Sequence, residues 1–232
     1  MGRRAYRADE VESQRERIAE VATHLFAERG YAGVTFRSLA ERLNCSPMAP
    51  YRYFDSKEDI FAAVRRRAYE RFADAQEAAA LQSPDSRARL AALGHAYIRF
   101  GIEERDAYRL MFSLAQPNPN AYPELRRAER RAWRPIREAV GAALEAGVLR
   151  GDADVLAHVF WSGVHGLVSL HVADKLAYGA RIEDLIEPLL YTLFAVNYSG
   201  SYSGNHAGSH AGSHAGSHAG DWQSTQRTGE GS

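Results

Sequence analysis

The stretch NCSPMAPYRYFDSKEDI, residues 44–60, gathers Tyr51, Arg52, Tyr53 and Lys57 behind two prolines, Pro47 and Pro50. A guanidinium presents a planar fork that matches phosphate oxygens and guanine edges, whereas an ammonium acts on phosphate as a point charge. Tyr51, Arg52 and Tyr53 can therefore donate hydrogen bonds to phosphates or bases. Arg52 has no packing role in the local pattern and is the first candidate for a base-reading side chain. Ser46, Pro47, Met48 and Ala49 precede them, and the apolar surfaces of Met48 and Ala49 suit thymine methyl groups. Upstream, Thr35 and Arg37 stand where a helix would begin and face phosphate, with Arg37 also within reach of a base edge. Lys57 sits at the start of a further helix, where the positive end of the helix dipole also favours an anion. Aromatic residues most often pack, so Tyr51 and Phe54 carry a core reading beside the surface one.

The elements that must position these residues are helices. In RIAEVATHLFAERG the apolar positions Ile18, Val21, Ala22, Leu25 and Phe26 recur at helical spacing, and Gly30 supplies a left-handed stop. Thr35 is placed to cap FRSLAERLN, a helix of about two turns with Phe36, Leu39, Ala40 and Leu43 on one face. Ser46 is expected to cap a third, shorter helix with Pro47 at its first position, where a missing N–H costs nothing. Ser56 and Asp59 form a capping box that opens a fourth helix, KEDIFAAVRRRAYERFADAQEAAA. Two short helices joined by a tight turn and preceded by a longer one make a helix-turn-helix, whose second member fits the major groove of DNA.

Beyond residue 85 the pattern predicts longer amphipathic helices near 86–104, 106–115, 122–146, 152–177 and 182–197, with QPNPNAYP and AGVLRGD as loops. Pro135 and Pro188 are expected to kink their helices or mark late starts. The expected fold is all-α. Its organisation is a basic arm at 1–10, a helix-turn-helix domain at 11–60, a second helical domain at 61–198, and a disordered tail at 199–232. Arg3, Arg4 and Arg7 in the arm suit either a minor-groove contact or a solubilising role. The tail repeats HAGS, with His206, His210, His214 and His218 four apart, but its glycines and serines oppose a helix.

Lysine plus arginine and aspartate plus glutamate each number 29, so the whole-chain charge is neutral and gives no general polyanion signal. The arginine, alanine and glycine bias also fits a GC-rich genome. No apolar run reaches the roughly 18 residues of a membrane span, and the charged amino terminus is unlike a secretory signal, so a cytoplasmic protein is expected. The single Cys45 excludes an internal disulfide framework. His95, His158, His165 and His171 lack carboxylate or cysteine neighbours at ligand spacing and are read as structural. No serine or cysteine lies in a nucleophile-elbow or triad context and no glycine-rich phosphate loop exists, so no enzyme, metal or cofactor is expected.

Residues 15–64 resemble the DNA-binding domain of the TetR family of bacterial transcriptional regulators. The resemblance is carried by LFAERGYAGVTFRSLAERL, by the Y-x-Y-F segment Tyr51 to Phe54, and by SKEDIF. One difference is that many members have glycine and a small residue where this chain has Pro47 and Pro50. HVFWSGVHGLVSLHVADKL, with Trp161, His165 and Gly166 in the order W-x-x-x-H-G, is similar to a carboxy-terminal sensing domain of one branch of the family. The resemblance implies a homodimer on palindromic double-stranded operator DNA, most simply a repressor, released by a small-molecule effector. It implies an effector pocket floored by residues among Tyr97, Phe100, Tyr108 and Met111, with Phe112, Trp133 and Trp161. It also implies a four-helix dimer contact in which Ser162, Gly163 and Gly166 allow close approach, although the same residues also fit a plain core. The rival reading is a helical interaction module that reads no DNA, and the cationic set Arg37, Arg52 and Lys57 argues against it.

Overall fold

A computed structural model describes residues 8–83, 85–112 and 121–195, and among them the chain is helical throughout, without a strand. The helices are α1 (Ala8–Arg29), α2 (Phe36–Arg42), α3 (Lys57–Leu81), α4 (Ser86–Glu103), α5 (Arg105–Met111), α6 (Pro123–Glu145), α7 (Ala153–Val172) and α8 (Ile182–Ala195). A single 3-10 turn, Pro50–Arg52, lies between α2 and α3.

Local chemistry accounts for most boundaries. Gly30 ends α1 at φ +68°, its N–H bonded to the Phe26 carbonyl at 2.9 Å. Thr35 and Ser38 form a reciprocal capping box on α2, and Ser56 and Asp59 form another on α3. Each satisfies two backbone donors that a helix start leaves without partners. Asp85 and Asp152 cap α4 and α7 by accepting from Ala88 N–H at 2.8 Å and Val155 N–H at 2.9 Å. Pro135 and Pro188 stand inside α6 and α8, so neither marks a late start. The helix expected over 152–177 stops at Val172, because Asp174 takes φ +53° and turns the chain.

α1, α2 and the first turns of α3 enclose one core, in which Leu25, Phe26, Leu39, Phe54, Ile60 and Phe61 are fully buried. The Phe26 and Phe61 rings meet edge to face at 5.0 Å, and Tyr31 meets Phe61 the same way at 5.1 Å. The boundary expected between residues 60 and 61 falls inside α3, which runs unbroken from this core into the next. Farther along, α3 packs against α4, α5 and α6, and α4 against α7 and α8. α7 is 20 residues long and apolar enough, by length and composition, to cross a bilayer. The estimate that no apolar run reaches this length is therefore corrected. Its apolarity has a packing reason, since Phe160, Val164, Leu167 and Val168 are buried against the other helices.

Close helix approach within the chain rests on Gly101 and Gly94, which the sequence did not single out, and on Gly163, which it did. A Cβ at Gly101 of α4 would collide with Val168 of α7, and one at Gly94 would collide with Leu190 of α8. A Cβ at Gly163 would come within 3.0 Å of Leu193 of the same chain, whereas one at Gly166 would meet nothing within 4 Å. α1 begins at Ala8, so residues 8–10, expected within the arm, are helical. Arg3, Arg4, Arg7 and the histidines of the tail lie outside the described residues.

The start of α6 is tied to the start of α3. Tyr122, the residue before Pro123, donates its hydroxyl to Asp59 Oδ1 at 2.8 Å. Burial pushes the Asp59 carboxyl up, but hydrogen bonds from Tyr122, the Ser56 hydroxyl and backbone N–H groups outweigh it and hold the group below its ordinary value. The phenol, pushed up to about 12 by burial and by this carboxylate, is a neutral donor at pH 7.

Two outcomes follow from this packing. Gly101→Ala should destabilise the fold by about 1–3 kcal/mol in chemical denaturation, because the overlap with Val168 outweighs alanine's better helix propensity. Tyr122→Phe should raise the Asp59 pKa, read by carboxyl NMR. A depressed carboxyl stabilises above its unfolded pKa, about 4, and that stabilisation is lost as pH falls through the folded value. The stability deficit of Tyr122→Phe should therefore be full at pH 7 and close as pH falls below about 4.

Candidate nucleic-acid interface and internal cavity

The candidate reading segment is built from the end of α2. Asn44 takes φ +52°, the Cys45 N–H returns to the Ala40 carbonyl at 3.0 Å, and the Asn44 N–H returns to Glu41 at 3.1 Å. This paired closure ends α2 with a left-handed residue that asparagine tolerates better than most. The chain then turns sharply into Ser46.

The element expected to begin at Ser46 differs in the structure. Pro50, not Pro47, occupies its first helical position, Ala49 is the capping residue without a side-chain bond, and the element is one 3-10 turn. The physical reason lies in Pro50. An α-helix starting at Ser46 needs the residue-50 N–H to reach the Ser46 carbonyl, and proline has none. That carbonyl takes the Ala49 N–H at 2.9 Å instead, and Arg52 and Tyr53 repeat the tighter i→i+3 pattern at 3.2 and 3.0 Å. Pro50 itself is buried and anchors the turn from beneath.

On this base the candidate residues separate into surface and support. Ser46, Pro47, Tyr51 and Arg52 are exposed, as is Met48, with 65% of its surface open. Ala49 and Tyr53 are half-buried, and Phe54 is core. Tyr51 lies flat on Phe36 with centroids 3.9 Å apart, so its ring is braced while its edge faces outward. Arg52 has no ion pair among the described residues. Arg37 is 83% exposed and pairs with Glu41 one turn on, at 3.2 Å. Exposed pairs of this kind contribute well under about 1 kcal/mol, so the guanidinium is readily redirected. Thr35 is engaged in its cap. The Lys57 ammonium donates to the Tyr31 carbonyl at 2.9 Å and lies 4.4 Å from the centre of the Tyr31 ring, which uses one of its three donors. Arg15, which the sequence did not single out, donates to the Tyr53 carbonyl and sits over the Phe54 ring, holding the turn against α1.

Below this head lies a cavity of about 210 Å³ walled by residues of α3 to α8. Of the residues expected to floor a pocket, Tyr97, Met111, Phe112, Trp133 and Trp161 line it. Phe100 and Tyr108 do not. Phe100 packs edge-on against Phe72 at 5.2 Å, and Tyr108 turns its hydroxyl to His165 Nδ1 at 2.8 Å and Ser169 Oγ at 3.1 Å. His165 thus belongs to a polar knot beside the cavity, with Tyr97 at 2.9 Å on the same nitrogen and Ser169 at 3.2 Å on the other. Burial pushes the imidazole pKa down, which favours the neutral ring. The two tyrosine hydroxyls are pushed up, chiefly by burial. Trp161 donates its indole N–H to the Tyr97 hydroxyl at 3.3 Å.

Two polar lining residues were missed from the sequence, Gln76 and Glu129. Gln76 is 4% exposed and donates its side-chain N–H to the Leu93 carbonyl at 3.3 Å. Glu129 accepts from Arg65 at 3.3 Å, and Arg65, itself 4% exposed, also donates to the Met111 carbonyl at 3.0 Å. A signal was available: Arg65 and Gln76 interrupt the buried stripe of α3 formed by Phe61, Val64, Ala68, Phe72 and Ala73. Polar residues on such a stripe need partners or a cavity. Among the described residues, no group of three histidine, cysteine, aspartate or glutamate side chains comes together to hold a metal.

Comparison with known proteins agrees with this architecture. Residues 18–64 match the family described as bacterial regulatory proteins, tetR family, and residues 90–193 match a tetracyclin repressor-like C-terminal domain. The chain is 27% identical over 158 residues to the transcriptional repressor KstR2 of Mycobacterium tuberculosis, covering 64% of this chain and 75% of that one. It is 28% identical over 101 residues to the transcriptional activator FasR of Mycolicibacterium smegmatis, covering 44% of this chain and 46% of that activator. Its fold is similar to that of the regulatory protein SCO4313, with a TM-score of 0.67, 25% identity, and 82% of this chain and 100% of the other covered. With both the helix-turn-helix and the carboxy-terminal helical region matched, the chain belongs to the TetR family of bacterial transcriptional regulators and is not an enzyme.

Proposed function

We propose that this protein is a dimeric, cytoplasmic repressor that binds a two-fold operator and leaves it when a small, largely apolar molecule fills the cavity. The observation that carries the reading is α3. One unbroken helix holds Lys57 at the reading head and Gln76 at the cavity wall. A ligand that alters how α3 sits against α4 and α6 thereby alters the spacing of two reading heads. Operators for two-fold dimers set half-sites about 34–36 Å apart, so spacing governs affinity. The ligand shifts the balance by no more than its differential affinity for the two states. The reading as a repressor is supported by the name of KstR2, the relative matched over the greater length.

On the DNA face, Arg52 is the base-reading residue. Met48 and Ala49 supply apolar contact, Pro47 and Ser46 shape the approach, and Thr35, Arg37, Tyr51, Tyr53 and Lys57 position the backbone. The 3-10 turn puts these side chains on a stiff, proline-anchored projection that loses little entropy on docking.

The dimer contact is assigned to the outer face of α7 with α8. Val155, Val159 and Leu170 are exposed there, with Ser162 and Gly166 between them at helical spacing, and Tyr191 is exposed on α8. A row of exposed apolar and small residues on one helix face suits a two-fold helix packing. Gly163 faces Leu193 of its own chain and serves the α7–α8 packing within each subunit.

The direct test is selection of bound fragments from a random DNA pool, which should return palindromes with half-sites about one helical turn apart. Against the selected operator, Arg52→Ala should cost about 1–3 kcal/mol and relax preference at one base position. Lys57→Ala should weaken all sequences evenly, reduce the salt slope by about one, and also lower the melting temperature through loss of the Tyr31 contact. Val159→Glu should leave helicity unchanged in circular dichroism, because the position is 46% exposed. It should raise the dimer dissociation constant about tenfold or more in sedimentation and weaken operator binding with it.

A further inference from the structure

The cavity has a sign of charge as well as a size. Among the described residues that line it there is one acid, Glu129, and no lysine, arginine or histidine. Glu129 and Trp133 stand one turn apart on α6, and the Trp133 and Trp161 rings meet nearly perpendicularly at 6.0 Å. Of the Glu129 carboxylate, one oxygen accepts from Arg65 and the other has no partner among the described residues. Gln76 shows the same polarity. Only its amide N–H₂ can donate to the Leu93 carbonyl, so its amide oxygen is the atom left over, and that oxygen has no partner among the described residues. The acceptors left open on this wall, Glu129 and the Gln76 amide oxygen, stand beside two donors, the second Gln76 N–H and the Trp133 indole N–H, and the one formal charge among these groups is negative.

Resting on the reading of this cavity as the effector site, we propose that its ligand is a protonated amine on a compact apolar or aromatic skeleton. The ammonium is held by Glu129 against the faces of Trp133 and Trp161, and a second donor is read by Gln76. A carboxylate or phosphate ligand is selected against, because it would bring an anion to Glu129 with no cation on the wall to receive it. The electrostatics favour the cation on three counts. A desolvated cation over an indole face is attracted by the ring quadrupole. A carboxylate offsets the cost of taking an ammonium out of water. Arg65 lies behind Glu129, engaged with the Met111 carbonyl, and is not part of the lining.

The same bond gives the ligand a route to α3. Among the described residues, Glu129 is the one carboxylate that Arg65 meets, and Arg65 belongs to α3. An ammonium that draws Glu129 toward the cavity competes with Arg65 for it, and so acts on the helix that carries the reading head.

The test uses the full chain and three molecules of one skeleton, 4-phenylbutylamine, 4-phenylbutanol and 4-phenylbutyrate, titrated by calorimetry and by tryptophan fluorescence. The amine should bind about tenfold tighter than the alcohol, with the carboxylate weakest. Glu129→Gln should remove the advantage of the amine over the alcohol while the alcohol's affinity stays within about twofold. Because Glu129→Gln also loosens Arg65, the wild-type ranking decides the matter if that variant does not fold, and Trp133→Leu should narrow the same gap. An alcohol equal to the amine, or a carboxylate tighter than both, overturns the cationic assignment and leaves the cavity as the effector site. Failure of all three to bind overturns both.

Discussion

One constraint organises the molecule: α3 must be buried by two different cores along a single, unbroken helix. At 25 residues and about 1.5 Å each it is roughly 37 Å long. Its first turns close the amino-terminal core through Ile60, Phe61 and Val64, and its later turns enter the second core through Ala68, Phe72 and Ala73. Between them sits Arg65, whose guanidinium holds α5 through the Met111 carbonyl and α6 through Glu129. Such a buried cation is weak evidence for net stability but costs about 3–5 kcal/mol to leave without its partner. Leu110 of α5 adds to this tie, because it packs into the amino-terminal core.

That arrangement gives the cavity and the amino-terminal core one shared helix, and the proposed coupling rests on it. Packed interiors are close to crystal density and do not deform smoothly, so a change at one wall is taken up by shifts of whole helices. The helices bounding the cavity also meet the head at fixed points: Tyr122 on Asp59, Arg67 on the Glu16 carbonyl, and His24 against Asp106. The Tyr122 contact matters most in this frame. It joins the residue before α6 to the capping box of α3, so both walls of the cavity are referred to the same end of the same helix.

The reading turn shows the opposite economy, with almost everything local. Pro50 removes one backbone donor, the Ser46 carbonyl takes another, and a helix becomes a single tight turn. Beneath it the support is tertiary: Pro50 and Phe54 are buried, and Arg15 of α1 grips the Tyr53 carbonyl. The exposed side chains above are free because the backbone below is not.

How much was legible in the sequence follows the range of the interaction. The sequence alone determined the all-helical class and most helix boundaries, since Thr35 with Ser38, Ser56 with Asp59, and Gly30 act within four residues of themselves. Short-range turn chemistry leaves Ser46, Pro47, Met48, Tyr51 and Arg52 on the surface, but the sequence misjudged which proline begins the turn: both fit a first helical position, and only the path after Asn44 chooses between them. Tertiary structure decided which aromatic side chains face the cavity. Tyr97 and Tyr108 are alike by composition and both hydrogen-bond His165, yet only Tyr97 also lines the space. It also decided which glycines carry close helix contacts, and that Gln76 and Glu129 share a wall. Those outcomes depend on residues from three or more helices meeting in space, and no periodicity within one helix records what the facing helix presents.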